Sequence, residues 1–375
     1  MDEVDILIIG AGVIGLAIAK ELAEEKNNLL LVEKNKSFGQ ETSSRNSEVI
    51  HGGMYYPCDT LKAKLCVEGR RLLYELCKKN NIPYKKTGKL IVAIEKEETS
   101  SLDELLKQGK NNGVEGLRLI NQKELFSLEP NLKGISALYS PETGIIDSHR
   151  LMQYFLDSAK NNGAMIVFNS EAIAIEKIST GYKISVKNGA EITEIKAQAV
   201  INCAGLDSDM VAQMAGMDIK KCNYQLHYCK GQYFRVNGNK SRLIQNLVYP
   251  IPKPKRGGLG IHATLDLSGG LRLGPDDEYL DGRDKDYIVN SSKRPDFYNS
   301  ARGFLPFLEE IELQPDTSGI RPKLQAQNEA FRDFVIKEEA NRGLPGFFNL
   351  IGIESPGLTA SPAIAKMLKN MIKGR

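Results

Sequence analysis

Gly10-Ala11-Gly12-Val13-Ile14-Gly15 is the first run in the chain whose spacing implies chemistry. Three glycines so placed let the chain turn tightly at Gly10, let a diphosphate approach the backbone at Gly12, and let a helix pack closely on a strand at Gly15. Amides at the start of the following helix, from Val13 and Ile14 onward, then face the anion. Residues 4–9 before the run have strand character, and 14–25 after it have helical character. Leu29–Val32 reads as a second strand, closed by Glu33 and Lys34. An acid about 20 residues beyond the first glycine suits a ribose hydroxyl. Strand, turn, helix and acid together point to a dinucleotide site rather than to a merely structural glycine turn.

A chain binding FAD and NAD in the manner of disulfide reductases needs a second such fingerprint and a redox-active cysteine pair. The glycines of 258–274 have the wrong spacing, and no Cys-x-x-Cys occurs. The remaining motifs point to FAD as the only dinucleotide held in such a site. Residues 41–56 are too rich in small polar side chains for a core element. They read as a loop in which Thr42, Ser43, Ser44, Arg45, Asn46 and Ser47 bond the cofactor and His51 is presented to a substrate; the bland alternative is a polar loop with one satisfied histidine. Ser355, Pro356, Gly357, Leu358 and Thr359 join a strand to the last helix, whose N-terminal amides would stabilise the charge of reduced flavin.

Arg321 and Lys323 flank Pro322 in what reads as a stiffened loop. Arginine's planar fork suits a carboxylate, while a salt bridge or a solvated charge is the plain alternative, more so for Lys323. His262 lies in a β-rich segment, as a pocket residue or a satisfied structural histidine. Lys253, Lys255 and Arg256 crowd a Pro-rich loop, as solvated charges or as a peripheral membrane contact.

Composition sets the frame for these residues. The chain has 375 residues, 41% hydrophobic and 26% charged, an ordinary globular balance that excludes disorder, collagen and a disulfide-stapled miniprotein. Its length suggests two or three domains. No apolar run approaches the ~20 residues of a membrane-spanning helix, and an acidic start followed by early glycine is unlike a secretion signal. The expected location is cytoplasmic, with a peripheral inner-membrane contact as an option. Fifty basic against 47 acidic residues give a net charge of +3, too weak an excess for a nucleic-acid partner. Six cysteines without zinc spacing read as structural thiols, and no metal is expected.

The elements that must position the candidates follow from periodicity. Helices are expected over 61–79, 98–111, 151–161, 295–308 and 359–373. Strands are expected over 89–95, 165–168, 199–203 and 349–353, with a hairpin turning at Asn188-Gly189. Ala204 and Gly205 end the 199–203 strand as further cofactor contacts. Residues 224–236 and 243–272 have the texture of a twisted antiparallel sheet. The fold class is α/β (α+β overall): a Rossmann-type FAD-binding domain from 1–85, 145–220 and 318–375, and a β-rich antiparallel substrate domain from 86–144 and 221–317.

Together these residues resemble the FAD-dependent D-amino-acid-oxidase-like superfamily, and within it the L-2-hydroxyglutarate dehydrogenase/oxidase group. The most specific stretches run from Asn46 to Tyr56, from Leu61 to Cys66 and from Gly88 to Ala93. Thr143 to Asp147, Gly319 to Lys323 and Ser355 to Thr359 are also similar. The group's usual loop reads Asn-Ser-Gly-Val-Ile-His; here Glu48 stands in the glycine's place, adding a carboxylate and removing backbone freedom near the flavin. The resemblance implies non-covalent FAD and oxidation of an L-2-hydroxy acid to a 2-oxo acid. His51 would take the hydroxyl proton as the C2 hydride moves to flavin N5. Arg321 would anchor a carboxylate, with Tyr55, Tyr56, His262 and Lys323 lining the pocket. Oxygen or a quinone would accept the electrons. Glycerol 3-phosphate or an amino acid are rival substrates, since glycerol-3-phosphate oxidases share the loop. A non-catalytic flavin scaffold or electron relay is the rival of another class.

Overall fold

The computed structural model describes residues 2–25, 27–252 and 260–374. Ile6, Leu7, Ile8 and Ile9 leave no polar side chain for either face, so the strand Asp2–Ile9 is stable only where both faces are covered. It lies parallel between Leu29–Val32 and Glu191–Asn202. Met165–Val167 extends the sheet beyond the former, and Leu344–Ile351 beyond the latter. Among the described residues this sheet has eight strands, including the antiparallel Val335–Glu339 and the pair Ser170–Ile178 and Gly181–Asn188. One face is covered by the helices Val13–Ala23, Leu61–Asn80, Ser148–Asn161 and Gly357–Lys373, through Leu16, Leu73, Phe155 and Ile364. The other carries Leu206, Val211, Tyr224 and Tyr228.

A second sheet, of nine strands among the described residues, holds its own apolar core, with Leu90, Val92, Leu138, Val248 and Phe234 inside. Its longest pairing joins His227–Val236 to Leu313–Lys323 and sets Cys229 opposite Arg321. A small three-stranded sheet, Val49–Ile50, Gly144–Ile146 and Tyr84–Lys85, anchors the segment that leads into His51.

The mixed α/β architecture is the expected one, but several elements differ. Residues 319–323 are not a loop: they end the strand Leu313–Lys323. The 199–203 strand is the second half of Glu191–Asn202, whose first half is largely solvent-exposed beside Gly181–Asn188 and whose last residues are buried in the parallel sheet. The hairpin turns at Gly189-Ala190, one residue later than expected. Gly189 takes φ +60, the conformation a two-residue turn with glycine first requires. The 295–308 helix stops at Ala301 in the form Arg294–Ala301. The β-rich sheet is not wholly antiparallel, because Leu247–Pro250 runs parallel to Lys89–Ala93. The Lys253, Lys255 and Arg256 segment lies outside the described residues. No helix among the described residues is long and apolar enough to cross a membrane. All six cysteines are free thiols.

Candidate active site

A cleft of about 560 Å³ gathers most of the singled-out residues: Gly10, Gly12, Val13, Ile14, Glu33, Lys34, Thr42, Ser43, Arg45, Asn46 and Ser47 line it, as do Ala204, Gly205 and Ser355 through Leu358. His51, His262 and Arg321 line it too. Gly15, Ser44, Tyr55, Tyr56, Lys323 and Thr359 do not.

The glycine run is built as a cradle. Gly10 takes φ +106, and a Cβ there would sit 2.6 Å from the Cys203 carbonyl oxygen. A Cβ on Gly15 would sit 2.0 Å from the Gly10 carbonyl oxygen, so Gly15 holds helix against turn from behind the cleft. Gly12 caps the helix Val13–Ala23 in extended conformation without a side-chain cap of its own, and the Val13 amide donates to Ser43 Oγ at 3.0 Å. The Glu33 carboxylate accepts from the Ala11 amide at 2.7 Å and the Asn35 amide at 2.8 Å, tying the turn to the end of the second strand. A helix N-terminus capped by glycine, with an acid at the neighbouring strand end, fits a diphosphate and its ribose. Lys34 and Lys285 each pair with both Glu41 and Asp207. Burial alone would raise the Asp207 carboxyl, and the two lysines outweigh it to hold it below its usual value.

The loop after this cradle is pinned along its length. Thr42 Oγ1 donates to the Ile320 carbonyl, and Asn46 bridges the Ser43 carbonyl and the Glu48 amide. Glu48 takes φ +57, a strained conformation for a residue with a side chain. Its carboxylate does not line the cleft. It accepts from the Ser148 amide at 3.1 Å and hydroxyl at 2.8 Å, at the favourable N-terminus of Ser148–Asn161.

His51 follows directly. Its amide donates to Thr359 Oγ1, which donates onward to the Val49 carbonyl, so the Thr359 side chain positions the loop. The ring Nε2 is 3.3 Å from Ser355 Oγ, which is 3.4 Å from the Tyr56 hydroxyl. Burial, then the charges of Lys89 and His262, push the His51 imidazolium well below its usual pKa, so the ring is neutral and proton-accepting at pH 7. His262 Nδ1 donates to the Gly260 carbonyl at 2.8 Å, and the ring stacks on Tyr249 with centroids 3.7 Å apart and is pushed down to about 3, chiefly by burial.

Arg321 is less open than a surface arginine. Its Nη1 pairs with Asp277 at 2.7 Å, and its Nη2 donates to the Asp276 carbonyl at 2.8 Å. An anion reaching this guanidinium shares it with Asp277. Lys323 is buried against Glu354 at 3.2 Å, and Lys62 pairs with the same carboxylate at 2.9 Å. Burial would raise Glu354, but Lys62 and Lys323 outweigh it and hold it at about 2. The helix Gly357–Lys373 begins beside this group with no side-chain cap, turning its N-terminus toward the cleft.

Sequence reasoning did not single out Tyr233, Asp207, Lys285, Asp277 or Glu354 among the cleft residues, nor Lys89 behind them. Lys89 alone left a local signal, a lysine opening the otherwise apolar run Leu90-Ile91-Val92-Ala93.

Known proteins extend the geometry. A family model described as FAD dependent oxidoreductase (DAO) matches residues 5–371. The mitochondrial L-2-hydroxyglutarate dehydrogenase of Arabidopsis thaliana is 40% identical, over 98% of this chain and 83% of its own length. That of Caenorhabditis elegans is 33% identical, over 98% and 93%. The dithionite-reduced, FAD-bound L-α-glycerophosphate oxidase of Mycoplasma pneumoniae superposes with a TM-score of 0.89 at 27% identity, covering 100% of this chain and 95% of that one. These relatives overturn the expected cytoplasmic location, since both dehydrogenases are mitochondrial by name. A cradle for a dinucleotide and a family match over nearly the whole length agree, and the chain belongs to the FAD-dependent oxidoreductase family, with non-covalently held FAD as its cofactor.

Proposed function

We propose that the protein oxidises an L-2-hydroxy acid of the 2-hydroxyglutarate type to the 2-oxo acid. One observation carries this: a half-buried, neutral imidazole, His51, and a guanidinium, Arg321, line the same cleft as the dinucleotide cradle. An alcohol needs a proton acceptor at its hydroxyl, and an acid needs a cation at its carboxylate. The similarity to L-2-hydroxyglutarate dehydrogenases supports the substrate class.

The cradle residues Gly10 to Ile14, with Glu33, would hold the diphosphate and ribose of FAD, and the N-terminal amides of Gly357–Lys373 would stabilise charge on its ring system. Bound there, FAD supplies the acceptor for the C2 hydride. His51 takes the hydroxyl proton at a ring nitrogen, and its contact with Ser355, then Tyr56, offers that proton a way onward. Arg321 orients the C1 carboxylate beside Asp277, and Tyr233 and His262 close the wall. Lys323 and Lys62 neutralise Glu354 and leave the substrate's carboxylate unopposed by it. The electrons pass on to oxygen or to a quinone.

Glycerol 3-phosphate is the second reading, favoured by the close superposition on the glycerophosphate oxidase. Anaerobic mixing of FAD-loaded protein with L-2-hydroxyglutarate, glycerol 3-phosphate and small amino acids discriminates. Bleaching of the flavin by the hydroxy acid at the lowest concentration is the expected result. Preferential bleaching by either other class would refute the proposal.

A further inference from the structure

Lys89 opens the strand Lys89–Ala93, all five residues of which are buried. Its side chain is 0% exposed and its ammonium nitrogen has no hydrogen-bond partner among the described residues. Among the described residues no carboxylate forms an ion pair with it. The nitrogen lies 3.7 Å from the ring centroid of Tyr249 and 5.5 Å from that of Tyr55. The Tyr55 hydroxyl is likewise buried without a partner. Tyr249 is the ring on which His262 stacks, and His262 lines the cleft. Lys89 is also the first charged group that burial leaves acting on His51. An orphaned cation and an orphaned donor thus lie directly behind the wall of the substrate end.

A buried ammonium without a counter-ion is costly, and aromatic faces offset only part of that cost. Such a group is economical to keep if an anion arrives from outside. In the reaction proposed above, Arg321 serves one carboxylate, while the other cations of the cleft wall are engaged elsewhere, Lys34 and Lys285 with Glu41 and Asp207, and Arg45 with the Tyr287 ring and the Ser318 carbonyl, which leaves the second carboxylate of a 2-hydroxyglutarate-type acid without a cation. We infer that Lys89, with the Tyr55 hydroxyl, forms the subsite for the substrate's second anionic group and so sets the preference for a dianionic over a monoanionic hydroxy acid. The inference rests on the hydroxy-acid reading. The lysine stem is flexible enough to bring the ammonium to a carboxylate entering between His51 and His262, and the same carboxylate satisfies the Tyr55 donor. A phosphate offers the same acceptor chemistry, so the two sources must be told apart.

The test uses FAD-loaded native protein, Lys89→Met and Tyr55→Phe. Glutarate and butyrate binding is read from perturbation of the flavin spectrum. Values of kcat/KM are compared for L-2-hydroxyglutarate, L-2-hydroxybutyrate and glycerol 3-phosphate. In Lys89→Met the ratio of dianion to monoanion, in binding and in kcat/KM, should fall by roughly 100-fold, as expected when a buried charge-assisted contact is lost. In Tyr55→Phe it should fall by roughly 3- to 10-fold, the worth of one neutral donor. Unchanged ratios in both variants, with both ligands weakened equally, would overturn the subsite and leave the hydroxy-acid reading standing. A native preference for glycerol 3-phosphate that Lys89→Met abolishes would uphold the subsite and overturn the hydroxy-acid reading. Retained FAD absorbance shows that each variant is folded.

Discussion

The two ends of the cleft treat polar groups in opposite ways. At the cradle, charges are matched within the protein: both Glu33 oxygens accept backbone amides, and Lys34 and Lys285 share Glu41 and Asp207. At the substrate end, burial keeps His51 and His262 neutral, and Lys89 has no counter-ion. The difference follows the residence of the two ligands. FAD stays through many turnovers, so its end is complete as built. The acid enters and leaves in each cycle, so Lys89, unlike the paired Arg321 and Glu354, gains a counter-charge only when that end is occupied.

Breaking the substrate end alone should give the largest effect. His51→Ala should stay yellow with bound FAD, while the rate of substrate-driven anaerobic bleaching falls by roughly 10²- to 10⁴-fold, the usual worth of a positioned proton acceptor. Near-native bleaching would remove His51 from that role. A smaller effect should appear with pH. Burial lowers the Lys89 ammonium to about 7, so the charge is present below pH 7 and is lost as pH rises through that value. KM for L-2-hydroxyglutarate should then be flat below pH 7 and climb by up to about tenfold per unit above it. Around Lys89, His51 and His262 are already neutral there, and burial pushes Cys66 up to about 12 and Tyr55 and Tyr249 upward, so none of them titrates in that window. A flat KM from pH 6 to 9 would sever Lys89 from substrate binding. Glu48→Gly should do least. It relieves a positive φ and loses the two bonds to Ser148, effects of opposite sign that should leave stability within about 1 kcal/mol. Thermal unfolding measures this, and a changed kcat/KM would place Glu48 in the site after all.

The same contrast explains what could be read from the sequence. The cradle is local: Gly10 to Gly15 and Glu33 belong to consecutive elements, so spacing alone revealed it. His51 was visible as the lone histidine of a small-residue loop. The rest of the substrate end is assembled across strands. Asp277 meets Arg321 and Tyr249 meets Lys89 only because distant segments pair in the second sheet, and Glu354, just past a strand of the first sheet, meets Lys323 of the second sheet and Lys62 of a helix. No local periodicity encodes such contacts. Lys323 illustrates the limit: a cation beside an arginine suggested a second substrate contact, whereas its charge is taken up by a buried acid 31 positions later in the chain. The strand Glu191–Asn202 was half-seen for a related reason, since its exposed and buried halves carry different periodicities.

The central claim, hydroxy-acid oxidation on bound FAD, is tested most directly by single-turnover stoichiometry. FAD-loaded protein is mixed anaerobically with L-2-hydroxyglutarate, and the 2-oxoglutarate formed is measured against the flavin bleached. The predicted result is one 2-oxoglutarate per FAD. A flavin that stays oxidised, with no 2-oxo acid formed, would contradict the account.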